Sequence, residues 1–140
     1  MSCRGVTLFE LLVVLVLVGA VAALALPGYR RQMMRVHRTE AMTALLDLQS
    51  AEEKFYLRHN AYTANLAGAP PAGLGLSPAS NSNKYVLSIA VAADGQSFIA
   101  TATPTPGGGQ DEDHDCLAFS IDARGRRAVA GARDVRHCWK

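Results

Sequence analysis

Residues 6–26 read VTLFELLVVLVLVGAVAALAL, and 18 of these 21 residues are apolar. At about 1.5 Å of rise per residue, an α-helix of this length would extend about 31 Å, which is enough to cross the hydrocarbon core of a bilayer. The segment therefore predicts a membrane-spanning helix near the amino terminus.

The rest of the chain has a modest supply of core residues. Of the 119 residues outside this segment 51 are apolar, and 19 of those 51 are alanine. Such a remainder can fold, but its core will be small and short of large side chains, so an additional constraint would be no surprise. The composition disfavours a two-domain enzyme, a disordered polar chain and a membrane protein with several spans.

Two kinds of cleaved signal compete with a membrane helix for the amino-terminal segment. A secretory signal would end in a small-residue site, which Ala23-Leu24-Ala25 imitates. A lipoprotein signal would need its cysteine after the apolar stretch, whereas Cys3 lies before it. A plain signal anchor is the third alternative.

Glu10 distinguishes these interpretations. A carboxylate inside an apolar helix costs on the order of 3 kcal/mol at the middle of a bilayer, and a signal peptide gains nothing from it. If the chain is cut between Gly5 and Val6, the new α-amino group lies about one helical turn from Glu10. The carboxylate can then pair with that ammonium or with the ammonium of a neighbouring copy.

The stretch from Gly5 to Leu15, GVTLFELLVVL, resembles the class III leader and cleavage junction of type IV pilins and pseudopilins. Val6 departs from the phenylalanine that usually begins the mature chain. The resemblance implies that a prepilin peptidase cuts after Gly5 and methylates Val6, and that Glu10 serves assembly. It also implies a cleaved leader at residues 1–5, a transmembrane and filament-core helix at residues 6–27, and a globular pilin head at residues 28–140.

Beyond the apolar segment the pattern indicates an α+β head. Helical spacing resumes after Pro27, so one long helix is expected from residue 7 to about residue 58. One face of its second half carries apolar residues at spacings of three and four, which are Ala41, Leu45, Leu48, Ala51 and Phe55. Charged residues lie largely on the other side, and these are Glu40, Asp47, Glu52, Lys54 and Arg58. Alternating runs beginning near Tyr85, Phe98 and Leu117 then predict an antiparallel sheet of three or four strands packed on the helix.

Two of the three cysteines form a candidate disulfide pair. Loss of the leader removes Cys3 and leaves Cys116 and Cys138. The pilin family has a disulfide-bounded carboxyl-terminal loop at this place, so the resemblance implies a Cys116–Cys138 bond if the head lies outside the cytoplasm. Two unpaired buried thiols are the alternative.

Two charged runs lie in the carboxyl-terminal third, in a chain whose net charge of +2 does not by itself imply nucleic-acid binding. The first, DEDHD at residues 111–115, is interpreted as a solvated acidic loop, with calcium as the lesser alternative because the spaced ligands of an EF-hand are missing. The histidines follow no HExxH spacing and no nucleophile motif is present. We therefore predict no enzyme activity, no cofactor and no metal.

The second run is basic and is the candidate DNA contact. Its arginines could bind phosphates while the ring of Trp139 stacks on a base. They are Arg124, Arg126, Arg127, Arg133 and Arg136.

Together these patterns predict a minor subunit of a type IV pilus, similar to the PilE-like group. The implied partners are other pilin subunits, prepilin peptidase, the inner-membrane assembly platform and the membrane itself before assembly, with DNA as a further one. The implied location is the inner membrane as prepilin and then the extracellular fibre, with roles in twitching motility, adhesion or DNA uptake. A type II secretion pseudopilin and a DNA-binding uptake receptor are the alternatives.

Overall fold

The computed structural model describes residues 7–140, apart from the side chain of Pro27. Helix α1 spans Leu8–His59 and the short helix α2 spans Val135–Cys138. The strands are β1 Tyr85–Val91, β2 Phe98–Pro104, β3 Ala118–Asp122 and β4 Arg127–Ala130. The chain divides into two compact units, Met1–Met33 and Met34–Lys140. The observed elements confirm the predicted α+β class, and the long helix begins and ends within one residue of the predicted limits.

The first unit contains the apolar part of α1. Thr7 caps this helix, because its hydroxyl oxygen accepts the backbone N–H of Glu10 at 3.3 Å. The apolar side chains that follow are exposed in the single chain, and Leu8 and Leu24 retain 83% and 82% of their surface. By length and composition the helix is able to cross a membrane. Its apolar surface is therefore available to lipid or to other subunits.

The second unit forms most of the predicted head, and its core lies between the polar half of α1 and the sheet. Ala41, Leu45 and Leu48 are fully buried on α1, at the spacings of three and four that the sequence predicts. They belong to one hydrophobic cluster with Tyr85 and Phe119 of the sheet. Three alanines occupy fully buried positions of this cluster, which is how a head poor in large apolar residues still closes its core. They are Ala41, Ala100 and Ala102.

The sheet has four antiparallel strands in the order β1-β2-β3-β4. Buried and exposed residues alternate along β2, as expected for a strand with one face on the core. A turn at Asp94-Gly95 joins β1 to β2, and Gly95 adopts a φ of 69°, which glycine tolerates best. Strand β4 pairs with β3 at one edge of the sheet, with Arg127 opposite Ile121. The sheet therefore holds the first residues of the basic run at fixed positions.

One residue of α1 is not where the sequence pattern puts it. Glu52, expected largely on the outer side of the helix, is fully buried. The chain folds back over it after the helix ends, and the backbone N–H of Thr63 donates to its carboxylate at 3.2 Å. Burial raises the pKa of Glu52, and this hydrogen bond opposes the rise only in part. A helical pattern alone does not show which residues a following loop will cover.

Candidate nucleic-acid interface

A disulfide frames the carboxyl-terminal part of the head. Cys116, just before β3, is bonded to Cys138 at the end of α2, with their Cα atoms 5.7 Å apart. Both cysteines are buried. The pairing implied by the family resemblance is thus present, and it closes a loop, here called the disulfide loop, that contains β3, β4 and α2.

The acidic run before this loop is partly internal. Asp113 is only 3% exposed, so the prediction of a solvated acidic loop is wrong at this position. The Arg38 guanidinium of α1 donates to both carboxylate oxygens of Asp113, from Nε at 2.5 Å and from Nη2 at 2.6 Å. Gln110 donates to Asp113 at 3.0 Å, and so does the backbone N–H of Cys116 at 3.3 Å. Asp113 therefore anchors the start of the disulfide loop to α1.

The Arg38–Asp113 ion pair also shifts the pKa of Arg38. The hydrogen bonds that Arg38 donates to Asp113 raise the pKa of Arg38, and burial opposes this rise without reversing it. These residues lie 75 positions apart, and no motif in the sequence connects them. An arginine among the apolar positions of a helix is the only signal that would have suggested a buried partner.

Other members of the acidic run are committed to nearby groups. Asp111 accepts the backbone N–H groups of Gly107 at 3.0 Å and Gly109 at 2.9 Å, and these hydrogen bonds hold its pKa below the ordinary aspartate value. Asp115 lies 3.6 Å from the Arg133 guanidinium. Among residues 7–140, no three His, Cys, Asp or Glu side chains come together as a metal-binding group.

The basic run differs from the acidic one because its side chains point to solvent. All five predicted arginines are exposed. Arg126 donates to Asp122 at 2.6 Å, and Arg133 has Asp115 nearby. Within the described part of the chain, no carboxylate lies within ion-pair distance of the other three, which are Arg124, Arg127 and Arg136.

Trp139 is half-buried and is held in place within the head. Its indole N–H donates to the carbonyl oxygen of Ala128 at 3.0 Å, and its ring meets the buried ring of Phe119 edge-on at 5.8 Å between centroids. The guanidinium carbon of Arg127 lies 5.0 Å from the centroid of the indole ring. Arg127 therefore lies over the indole ring, and stacking of Trp139 on a DNA base stays a prediction.

Two family models match the sequence. Residues 27–120 match the model described as the type IV minor pilin ComP, DNA uptake sequence receptor. Residues 1–26 match the prokaryotic N-terminal methylation motif. The chain belongs to the ComP family of type IV minor pilins.

Curated relatives of this pilin are type IV pilins and fimbrial proteins. A type IV major pilin protein PilE1 of Neisseria gonorrhoeae is 40% identical over 90 residues, which are 64% of this chain and 40% of that protein. The fimbrial protein EcpC of Eikenella corrodens is 33% identical over 98 residues, covering 70% of this chain and 60% of that protein. The chain spans about half the length of the curated relatives it matches.

The fold of the pilin has a counterpart among solved structures. A type IV pilin from Shewanella oneidensis superposes with a TM-score of 0.50 and 26% sequence identity, over 67% of this chain and 89% of that one. The family is one of structural pilin subunits, and its members assemble with other pilin subunits. The predicted family, fold and subunit class are thus confirmed.

Of the three predicted site residues at the amino terminus, the structure describes one, Glu10. Gly5 and Val6 lie outside the residues that the structure describes, so their roles stay predictions. Glu10 lies in the first turn of α1 and is exposed in the single chain. It is the only charged residue of residues 7–29, and nothing in the described chain neutralises it.

A cavity extends the basic surface of the pilin from the disulfide loop to α1. It has a volume of about 300 Å³ and lies between α1 and the carboxyl-terminal residues of the head. Arg35 lines it from α1, while His137 and Lys140 line it from the other side. Sequence reasoning missed Arg35 as part of this surface, because it lies 89 positions before Arg124.

Proposed function

We propose that this pilin is a minor subunit of a type IV pilus whose head binds DNA. Exposed arginines on the disulfide loop carry the proposal, because Arg124, Arg127 and Arg136 have no carboxylate partner in the described chain. Guanidinium groups without internal partners are suited to phosphate oxygens. The cavity beside Arg35 and Lys140 continues the same positive surface. The matched family description, a DNA uptake sequence receptor, supports this choice of ligand.

Processing and assembly follow the amino-terminal motif. Prepilin peptidase removes residues 1–5 after Gly5 and methylates the new amino group of Val6. Residues 6–27 hold the subunit in the inner membrane and then pack in the filament core, while residues 28–140 form the head. The inner-membrane assembly platform and neighbouring pilins are the partners in this step, and the extracellular fibre is the final location. Support comes from the match to the methylation motif and from the exposed apolar helix.

Glu10 has a defined task in this assembly. An unpaired carboxylate on a lipid-exposed helix is costly, so it gains by meeting the ammonium of Val6 on an adjacent subunit. Glu10→Ala is expected to leave cleavage largely intact and to block incorporation into filaments. The mass of the mature amino terminus reports cleavage, and the fraction of subunit in sheared fibres reports incorporation. Normal incorporation of the variant would contradict the pairing.

DNA binding is tested with the full chain in detergent micelles and a fluorescent DNA duplex. A variant with Arg124→Gln, Arg127→Gln and Arg136→Gln is expected to bind at least about tenfold more weakly and to lose up to about three units of the slope of log K against log salt. The matched control is Arg126→Gln, since Arg126 is already engaged by Asp122. Equal affinity of the triple variant and the unmodified chain would contradict the proposal.

A pseudopilin of type II secretion is the less favoured alternative. Calcium in the acidic run would support it, but Asp113 is bonded to Arg38 and Asp111 to backbone N–H groups. The carboxylates of Asp111 and Asp113 therefore already accept hydrogen bonds from groups of the head. The pseudopilin alternative assigns no function to the exposed arginines.

A further inference from the structure

We propose that Trp139 is a positioning residue that holds Arg127 ready to contact a DNA phosphate, so that Arg127 is the strongest single contact of the basic surface. This inference rests on the proposed DNA binding. It assigns Trp139 a role different from base stacking, because the residue acts through Arg127.

The indole is held from three directions. Its N–H donates to the Ala128 carbonyl oxygen, its ring packs edge-on against Phe119, and the preceding residue, Cys138, is fixed by the disulfide. Phe119 is itself fully buried in the core. The ring therefore stands at a defined place beside the start of β4, and its position does not depend on bound DNA.

The guanidinium of Arg127 packs against this ring. It is the first residue of β4, paired with the buried Ile121, and its guanidinium carbon lies 5.0 Å from the indole centroid. An aromatic face attracts a guanidinium without consuming its N–H donors, whereas a carboxylate occupies them. Arg127 thus loses side-chain freedom before DNA arrives and keeps its donors available for phosphate oxygens.

The neighbouring arginine, Arg126, contacts a carboxylate instead of an aromatic ring. Arg126 donates from Nε to Asp122 at 2.6 Å, so its charge is balanced within the turn between β3 and β4. The two residues are adjacent, yet one rests on a carboxylate and the other on an aromatic ring. Only the second arrangement leaves a full positive charge for a ligand.

The test is a double-mutant cycle on DNA affinity, with the full chain in detergent micelles and one fluorescent duplex. Arg127→Ala is expected to weaken binding about tenfold and to lower the salt slope by about one unit. Trp139→Leu is expected to weaken binding about threefold to fivefold with an almost unchanged salt slope, because Arg127 still reaches the phosphate but is no longer held. Trp139→Phe keeps an aromatic face and should recover much of the loss.

Coupling distinguishes positioning from a merely structural role. In the Arg127→Ala background, Trp139→Leu should have no further effect on affinity, whereas with Arg126→Ala the two effects should multiply. Independent effects of Trp139→Leu and Arg127→Ala overturn this inference while leaving DNA binding in place. An unmodified chain that binds no duplex overturns both this inference and the proposed function. If Trp139→Leu unfolds the head, Trp139→Phe takes its place in the cycle, and independent effects of Trp139→Phe and Arg127→Ala then overturn the inference.

Discussion

The acidic run at residues 111–115 and the basic run at residues 124–136 are both dense in charge, but only the acidic run has a charged residue buried in the head, which is Asp113. Asp113 is 3% exposed and held by Arg38, while Arg124, Arg127 and Arg136 are exposed and have no carboxylate partner in the described chain. Asp113 of the acidic run therefore holds the loop in place. The basic run is available to a ligand.

The difference follows from where each run meets the core. Asp113 stands three residues before the buried Cys116 and accepts its backbone N–H, so the carboxylate enters the protein with the disulfide. The arginines follow the turn after β3 and occupy the edge strand β4 and the residues beyond it. Side chains at the edge of a sheet reach solvent easily. Charge density alone thus does not separate a structural run from a recognition run.

The largest effect on the free energy of unfolding is expected from removing the contact between Arg38 and Asp113. Asp113→Ala should lower the free energy of unfolding by about 3–4 kcal/mol, because Arg38 would keep its charge in a largely buried place without a counterion. Urea denaturation of the full chain in detergent, followed by the fluorescence of the single tryptophan Trp139, measures this. Arg124→Ala is the matched outward control and should change stability by less than about 0.5 kcal/mol.

A second variant separates the charge from the packing. Arg38→Met combined with Asp113→Leu removes both partners and should recover most of the lost stability, because neither charge is then left alone. If Asp113→Ala and Arg124→Ala destabilise the head equally, the contrast between inward and outward charge fails.

The next largest effect concerns the disulfide that frames the basic run. Cys116→Ser with Cys138→Ser should lower the free energy of unfolding by about 3 kcal/mol, the chain-entropy value for a separation of this size. DNA affinity should fall as well, since β4, α2 and Trp139 lose their common attachment. Urea midpoints and duplex titrations on the same samples measure both. Unchanged DNA affinity in a destabilised variant would show that β4 alone orders the arginines.

Much of the fold was predictable from the sequence because it rests on periodic patterns. The spacing of Ala41, Leu45 and Leu48 marks the buried face of α1, and the alternation after Tyr85 marks the strands. These signals are local, so one sequence contains them in full. The short helix α2 was not predicted, because its four residues are too few to show a period and its cap, Asp134, precedes no apolar run.

The site was predictable only as a set of exposed candidates. The five arginines could be named from charge alone, but their internal partners depend on contacts between distant segments. Two such contacts are Arg38 with Asp113 and Arg127 with Trp139, and no local sequence pattern predicts either of them. A single sequence shows how many charges a segment has, whereas the tertiary fold decides which of them are already used.

Glu52 is expected to give the smallest effect, and it shows what a buried carboxylate does without an arginine. It is as buried as Asp113, but in the described chain its hydrogen bond comes from the Thr63 backbone N–H and no cation pairs with it. Burial raises its pKa, so the folded head keeps the proton at pH values where the unfolded chain releases it. Stability should therefore fall as pH rises from the ordinary glutamate pKa through the raised one.

Glu52→Gln removes this dependence, because the amide stays neutral while its oxygen still accepts the Thr63 N–H. We expect the variant to be more stable than the unmodified chain by up to about 1 kcal/mol near neutral pH, and to match it below the ordinary glutamate pKa. Urea denaturation at several pH values measures the difference. A difference that grows as pH falls would mean that Glu52 is ionised and stabilising, and that an unseen partner does for it what Arg38 does for Asp113.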